Sequence, residues 1–213
     1  MKKFLAIFIL AMLVLSVANK ESTTKAKPVE NIEKPTAGTY TFDKAHSFIE
    51  FRVKHLGLID VPGYFRDFEG TIIYDEKDIT KSSVEFYAKV ASIDTGIAAR
   101  DNHLRSVDFF DVEKYPQLVF KSTKVEKKGE SYFITGDLTI KGTTKQISFP
   151  FQITGFIAND PRSAGRMGVI AETTINRRDF GITYGSTLPN GTPAIADEVK
   201  VYLQIEAIKP KST

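Results

Sequence analysis

Cysteine is absent from the chain. No disulfide can brace the fold, no thiolate can bind zinc or attack a carbonyl, and the acylated cysteine that anchors lipoproteins is excluded. Stability must therefore come from a core. Tryptophan is also missing, and there are three His: His46, His55 and His103. They form no His-x-x-x-His pair and no His-Glu-x-x-His helix, so a zinc motif lacks support. His46 and His55 are nine residues apart on one expected strand, and an odd spacing sends them to opposite faces. No Gly-x-Ser-x-Gly elbow and no phosphate-cradling glycine loop occurs. Neither a metal nor another cofactor is expected, and no catalytic residues are assigned.

Excess charge is scarce too. Removing Lys2 and Lys3 takes 29 basic residues to 27 against 26 acidic ones, a net of about +1. No basic face follows, and nucleic acid is not an expected partner. The chain has one long apolar run, twelve residues at 4–15, preceded by Lys2 and Lys3 and followed by Ser16, Val17 and Ala18. That layout is a secretory signal peptide over 1–18. As a helix the run would cover about 18 Å, short of a roughly 30 Å hydrocarbon core. Residues 19–37 are rich in Lys, Glu, Thr and Pro without an apolar period, and read as a flexible linker. Residues 38–213 suit one domain with a sizeable core. The expected location is the periplasm or the exterior.

What the chain has is phenylalanine, 16 residues of it beside 8 Tyr, and a recurring two-residue alternation. Within 47–56, Ile49, Phe51 and Val53 share one face, while Glu50, Arg52 and Lys54 share the other. A second strand falls within 61–74, with a bulge or bend expected between Phe65 and Phe68. Further strands carry Val84, Phe86 and Ala88; Leu118, Phe120 and Ser122; Ile134, Leu138 and Ile140; Ile147, Phe149 and Phe151; Val169, Ala171 and Thr173; Val199, Val201 and Leu203. Eight strands with one apolar face each, mostly joined by short turns, favour an antiparallel barrel over a sandwich. An eight-stranded barrel is filled by side chains or holds one small ligand. Small inward residues (Gly136, Ala171, Thr173, Ser122) fit either case.

Two segments break the pattern. Residues 98–107 are helix-compatible and densely charged, which predicts a short helix over one barrel end. Asp101 or Ser106 could cap it, with Arg100 or Arg105 paired to Asp108 or Asp111. Alternatively Arg100, His103 or Arg105 faces a polar headgroup at the barrel mouth. If Phe109 and Phe110 are extended they point opposite ways, one plugging the barrel. Residues 176–197, punctuated by Gly181, Gly185, Gly191, Pro189 and Pro193, read as a rim loop. Arg177, Arg178 and Asp179 before Gly181 suggest an Arg–Asp pair fixing a turn.

Several blocks together resemble the YceI-like family. They are Asp43-x-x-His46-Ser47-x-Ile49-x-Phe51-x-Val53-x-His55, Gly63-x-Phe65-x-x-Phe68-x-Gly70, and Ala91-Ser92-Ile93-Asp94-Thr95-Gly96 followed by Arg100-Asp101-x-His103-Leu104-Arg105-Ser106-x-Asp108-Phe109-Phe110-Asp111. Gly136-Asp137-Leu138-Thr139-Ile140-x-Gly142-x-Thr144-Lys145, Arg177-x-Asp179-Phe180-Gly181 and Asp197-Glu198-Val199 complete the set. The resemblance implies a lipocalin-like eight-stranded barrel and an exported protein that binds a long isoprenoid or similar amphiphile. No family pattern covers 183–196. The expected ligand-holding residues are Ile49, Phe51, Val53, Phe86, Phe120, Leu138, Phe149, Phe151, Val201 and Leu203. The favoured reading is a carrier or store for an amphipathic lipid. The rivals are an enzyme acting on a lipid-like substrate, with His103 and Asp101 converging in the cavity, and a packed barrel working through surface contacts or a homodimer.

Overall fold

The computed structural model describes residues 36–158 and 160–211. The expected signal peptide and the linker up to residue 35 lie outside the described residues. Strands β1 (Gly38–Phe42), β2 (Phe48–His55), β3 (Ile59–Phe65), β4 (Phe68–Tyr74), β5 (Ser83–Lys89) and β6 (Ile93–Asp94) precede the helix α1 (Ala98–Arg105). Strands β7 (Gln117–Lys128), β8 (Ser131–Ile140), β9 (Thr143–Ala158), β10 (Gly165–Asn176) and β11 (Ile195–Lys209) follow it. Every pairing is antiparallel.

These 11 segments form one closed sheet, and they are eight barrel strands. β11 pairs with β1 through Ala207 and Ile208, and with β2 from Ile195 to Gln204. β4 then lies on β1 and β3 on β2; β5 lies on β4 and β6 on β3. So β1–β2, β3–β4 and β5–β6 are each one long strand with a break. The bend expected between Phe65 and Phe68 is the middle of three breaks that sit side by side. The Arg66 N–H donates to Ser92 O at 3.1 Å, and the Lys89 N–H to Asp67 O at 2.8 Å. Lys44 in the first break reaches Asp67 in the second at 3.0 Å. The short segments β1 and β6 went unread in the sequence because five and two residues carry too little alternation.

Alternation builds the wall. In β8, Ile134, Gly136, Leu138 and Ile140 are buried, while Thr135, Asp137 and Thr139 face outward. Each large apolar side chain buried this way is worth roughly 1.5–3 kcal/mol. The main core gathers Ile49, Phe65, Phe86, Phe120, Phe149 and Phe180. A second cluster, Tyr40, Phe156, Met167, Ile205 and Ala207, packs the lower part of the barrel. The upper end carries the 56–58 turn, α1 and its flanks, the 141–142 turn and the 177–194 loop. The lower end carries the turns at 75–82, 129–130 and 160–164.

A polar lock holds the outer wall near the lower end. Arg166 donates from Nε to Asp160 at 2.9 Å and from Nη1 to Asp43 at 3.1 Å and to Glu206. Its side chain and those of both aspartates are largely buried. The Asp160 carboxyl is held down from 3.8 to about 2, first by the Ser163 hydroxyl, then by the Arg162 N–H and Arg166. Asp43 is also lowered, first by His46 and further by Arg166 and the Ala45 N–H, against burial. A depressed carboxylate stabilises the fold above its unfolded pKa, and that contribution disappears as pH falls through the folded value. Stability should therefore decline between about pH 4 and about pH 2. Ser163→Ala is expected to bring Asp160 back up and shift this decline to higher pH. Urea midpoints measured across that window test it, and a variant curve parallel to the wild type contradicts it.

Candidate ligand cavity

The upper half of the barrel is hollow. Its cavity has a volume of about 390 Å³, inside the roughly 300–1,000 Å³ range of small-molecule sites. Of the ten residues expected to hold a tail, Ile49, Phe51, Val53, Phe86, Phe120, Leu138, Phe149, Val201 and Leu203 line it. Phe151 does not. It pairs with Tyr132 near the lower β7–β8 turn, and lines a separate cavity of about 80 Å³ in the lower half.

The small inward residues divide. Thr173 lines the upper cavity and Ala171 the lower one. Gly136 leaves no space, because a Cβ there would stand 2.6 Å from Cζ of Phe120. Ser122 accepts the Val84 N–H at 2.9 Å.

The insert between β6 and β7 closes much of the mouth. Phe109 and Phe110 both line the cavity, so neither packs outside the barrel. They sit in a turn, so the opposite-facing geometry of an extended pair does not apply. Phe110 meets Phe65 edge-on at 5.9 Å. Phe109 meets Tyr184 of the rim loop at 5.0 Å, and His103 touches both rings.

The three headgroup candidates separate. Arg100 and His103 line the cavity. Arg105 does not: it donates to Ala91 O at 2.9 Å and Ile93 O at 2.7 Å, and to Asn102 at 3.0 Å. Those bonds anchor α1 to the third break, so its assignment to the mouth is corrected. Arg100 gives Nε to the Thr95 hydroxyl at 2.7 Å and Nη2 to Thr95 O at 2.8 Å. Its Nη1 has no partner among the described residues. Asp101 is buried and accepts the Thr95 N–H at 2.9 Å, together with the Thr95 hydroxyl. Neither arginine pairs with Asp108 or Asp111. His103 takes Asp108 instead, at 2.9 Å and well exposed. A His103–Asp101 acid–base pair inside the cavity therefore does not assemble. His46 and His55 are apart as well. His55 lines the cavity, while His46 lies with Asp43 and Glu206, whose ligand atoms fall within 4.8 Å of one another. Arg166 occupies the same two carboxylates.

Sequence reasoning missed Arg177 as the organiser of the rim. It is buried, and it also lines the cavity. Its Nε donates to Ala196 O at 2.9 Å, and Nη1 to Ile182 O at 2.8 Å and Tyr184 O at 2.7 Å. Nη2 reaches Ile195 O at 3.2 Å and Asp197 at 2.9 Å. All five guanidinium N–H groups are thereby used. Burial pushes the guanidinium pKa down, against the pull of Asp197. The expected Arg–Asp pair exists, yet its acid is Asp197, which also takes Arg178 at 2.7 Å. Gly181 follows at φ 74°, the left-handed turn that an L side chain resists. It sends Phe180 and Ile182 into the cavity wall.

A family model described as the YceI-like domain matches residues 40–207. A UPF0312 protein of Pectobacterium carotovorum is 42% identical over 177 residues, covering 82% of this chain and 88% of its own length. The crystal structure of a Campylobacter jejuni YCEI protein is 31% identical with a TM-score of 0.64, over 74% of this chain and 90% of that one. A polyisoprenoid binding domain from Saccharophagus degradans has the same fold at 16% identity, with a TM-score of 0.61 over 82% of this chain and all (100%) of that one.

Arg177→Lys keeps the charge but can fill at most three of the five bonds. It is expected to destabilise the protein by about 3 kcal/mol and to loosen the rim selectively. Hydrogen exchange should accelerate at 182–196 and stay near wild type in β7 to β9. Unchanged protection of the rim would contradict the role given to Arg177.

Proposed function

The chain belongs to the YceI-like family, and from that premise we propose that it binds an amphipathic lipid, tail inside the barrel and headgroup at the upper mouth. The observation that carries this is a cavity walled by hydrocarbon side chains with a cation of unfilled bonding capacity at its edge. Apolar burial at roughly 0.8 kcal/mol per methylene supplies the affinity. Several isoprene units would outweigh association costs of about 4 kcal/mol or more. The polyisoprenoid binding domain named above supports an isoprenoid as the ligand class. The N-terminal signal layout supports export, and export gives the protein the role of carrying or storing a lipid in the periplasm or outside the cell.

Protein purified from its native source is expected to release a stoichiometric amphiphile on solvent extraction, and to show an intact mass lacking residues 1–18. Mass spectrometry reads both. No extractable lipid and no uptake of added prenyl lipids would defeat the binding reading. Retention of the N-terminal segment would defeat the export reading.

Arg100 sets headgroup preference, since its free Nη1 suits a phosphate oxygen. Arg100→Gln is expected to weaken binding of a prenyl diphosphate by about tenfold, near the roughly 1.5 kcal/mol of one charged hydrogen bond, while leaving the matching prenyl alcohol unchanged. Equal loss for both ligands would contradict this assignment.

A further inference from the structure

Among the described residues, a cavity lies on each side of one shared layer of the barrel. Five residues line both: Ile49, Phe86, Phe120, Phe149 and Leu203. They form a layer across the barrel axis. Phe120 is its hub, 1% exposed, with ring centroids 5.5 Å from Phe86 and 5.5 Å from Phe149. The ring lies on Gly136, where even a methyl group would meet Cζ of Phe120 at 2.6 Å and the Lys121 carbonyl at 2.5 Å. Beyond the layer lies the cavity of about 80 Å³, lined by Ala171, Val125 and Ile134 among others.

We infer that this phenylalanine layer is a floor that sets the longest tail the protein accepts. The inference rests on the lipid-binding reading and adds a length limit to it. A tail entering at the mouth gains burial until its end reaches Phe120. Going further requires moving a ring held by two aromatic neighbours and by the backbone beneath it. Aromatic pairs of this kind resist displacement beyond their area burial, and close-packed layers do not deform gradually. The carbon added past that point stays in water or distorts the layer, so it contributes no affinity. Removing the Phe120 ring would join the two cavities and give the longer tail an apolar place to go.

The test uses the purified full chain and prenyl alcohols of graded length: geraniol, farnesol, geranylgeraniol and solanesol. Native mass spectrometry or competition binding reads the affinity of each. Wild-type affinity is expected to rise with length and then stop rising at one member of the series. Phe120→Ala is expected to move that stop to the next longer alcohol, tightening the first excluded member by roughly tenfold or more. Adding Ala171→Phe to the variant refills the lower cavity and returns the stop to its wild-type place. Where Phe120→Ala does not fold, Phe120→Leu is measured with the same expected direction. An affinity that climbs through the whole series in the wild type, or a stop that ignores the Phe120 substitutions, overturns the floor and leaves lipid binding intact. Failure of every alcohol to bind the wild type instead overturns the lipid-binding reading beneath it.

Discussion

Closure of the sheet between β1 and β11 is the constraint from which everything else follows. Thr41 with Ile208 and Phe42 with Ala207 make its lower end, and β2 continues it along β11 from Ile195 to Gln204; without that whole seam the barrel would have two open edges and no interior. Closure at eight strands fixes an inside width that side chains can nearly fill. Whether a hollow remains then depends on individual residues. In the lower half Tyr40, Phe156 and Met167 meet and leave little space. In the upper half the inward residues stand back, and the space is covered by the insert and the rim loop.

Charge and carbon are segregated by the same geometry. The period of two puts hydrocarbon inside and ion pairs outside, as in the Arg166 lock and the Lys44–Asp67–Lys89 chain. Surface pairs of the second kind contribute little each. The buried arginine is different. Arg177 is committed to four backbone carbonyls and Asp197, so it shapes the rim and has no N–H left for a ligand. Arg100, half committed to Thr95, keeps a donor without a partner among the described residues. Positional nearness to a cavity therefore does not by itself make an arginine a binding group; its spare donors do.

The wall was legible in the sequence because alternation is a local property. Ile49, Phe51, Val53 and Leu138 could be placed on the inner face from their neighbours alone. Phe151 was placed on the correct face, but its height in the barrel depends on register with Tyr132, which alternation does not encode. The ends were less legible. Arg105 spends its donors on the carbonyls of Ala91 and Ile93, and backbone acceptors leave no mark in a sequence. The 183–196 segment reads as Gly- and Pro-rich loop because its order is imposed from Arg177, outside the segment itself. Gly136 fitted either open space or close packing, and it is the bed of Phe120, a distinction that needs the neighbouring strand.

The central claim is that the upper barrel holds a lipid tail against its carbon walls. Intermolecular NOEs between the methyl groups of bound farnesol and the protein test this most directly. The account predicts contacts to Ile49, Leu138 and Val201, with none to the outward-facing Ile170. Saturable binding without any NOE to those inner methyls, or with contacts confined to the outer wall, would contradict it.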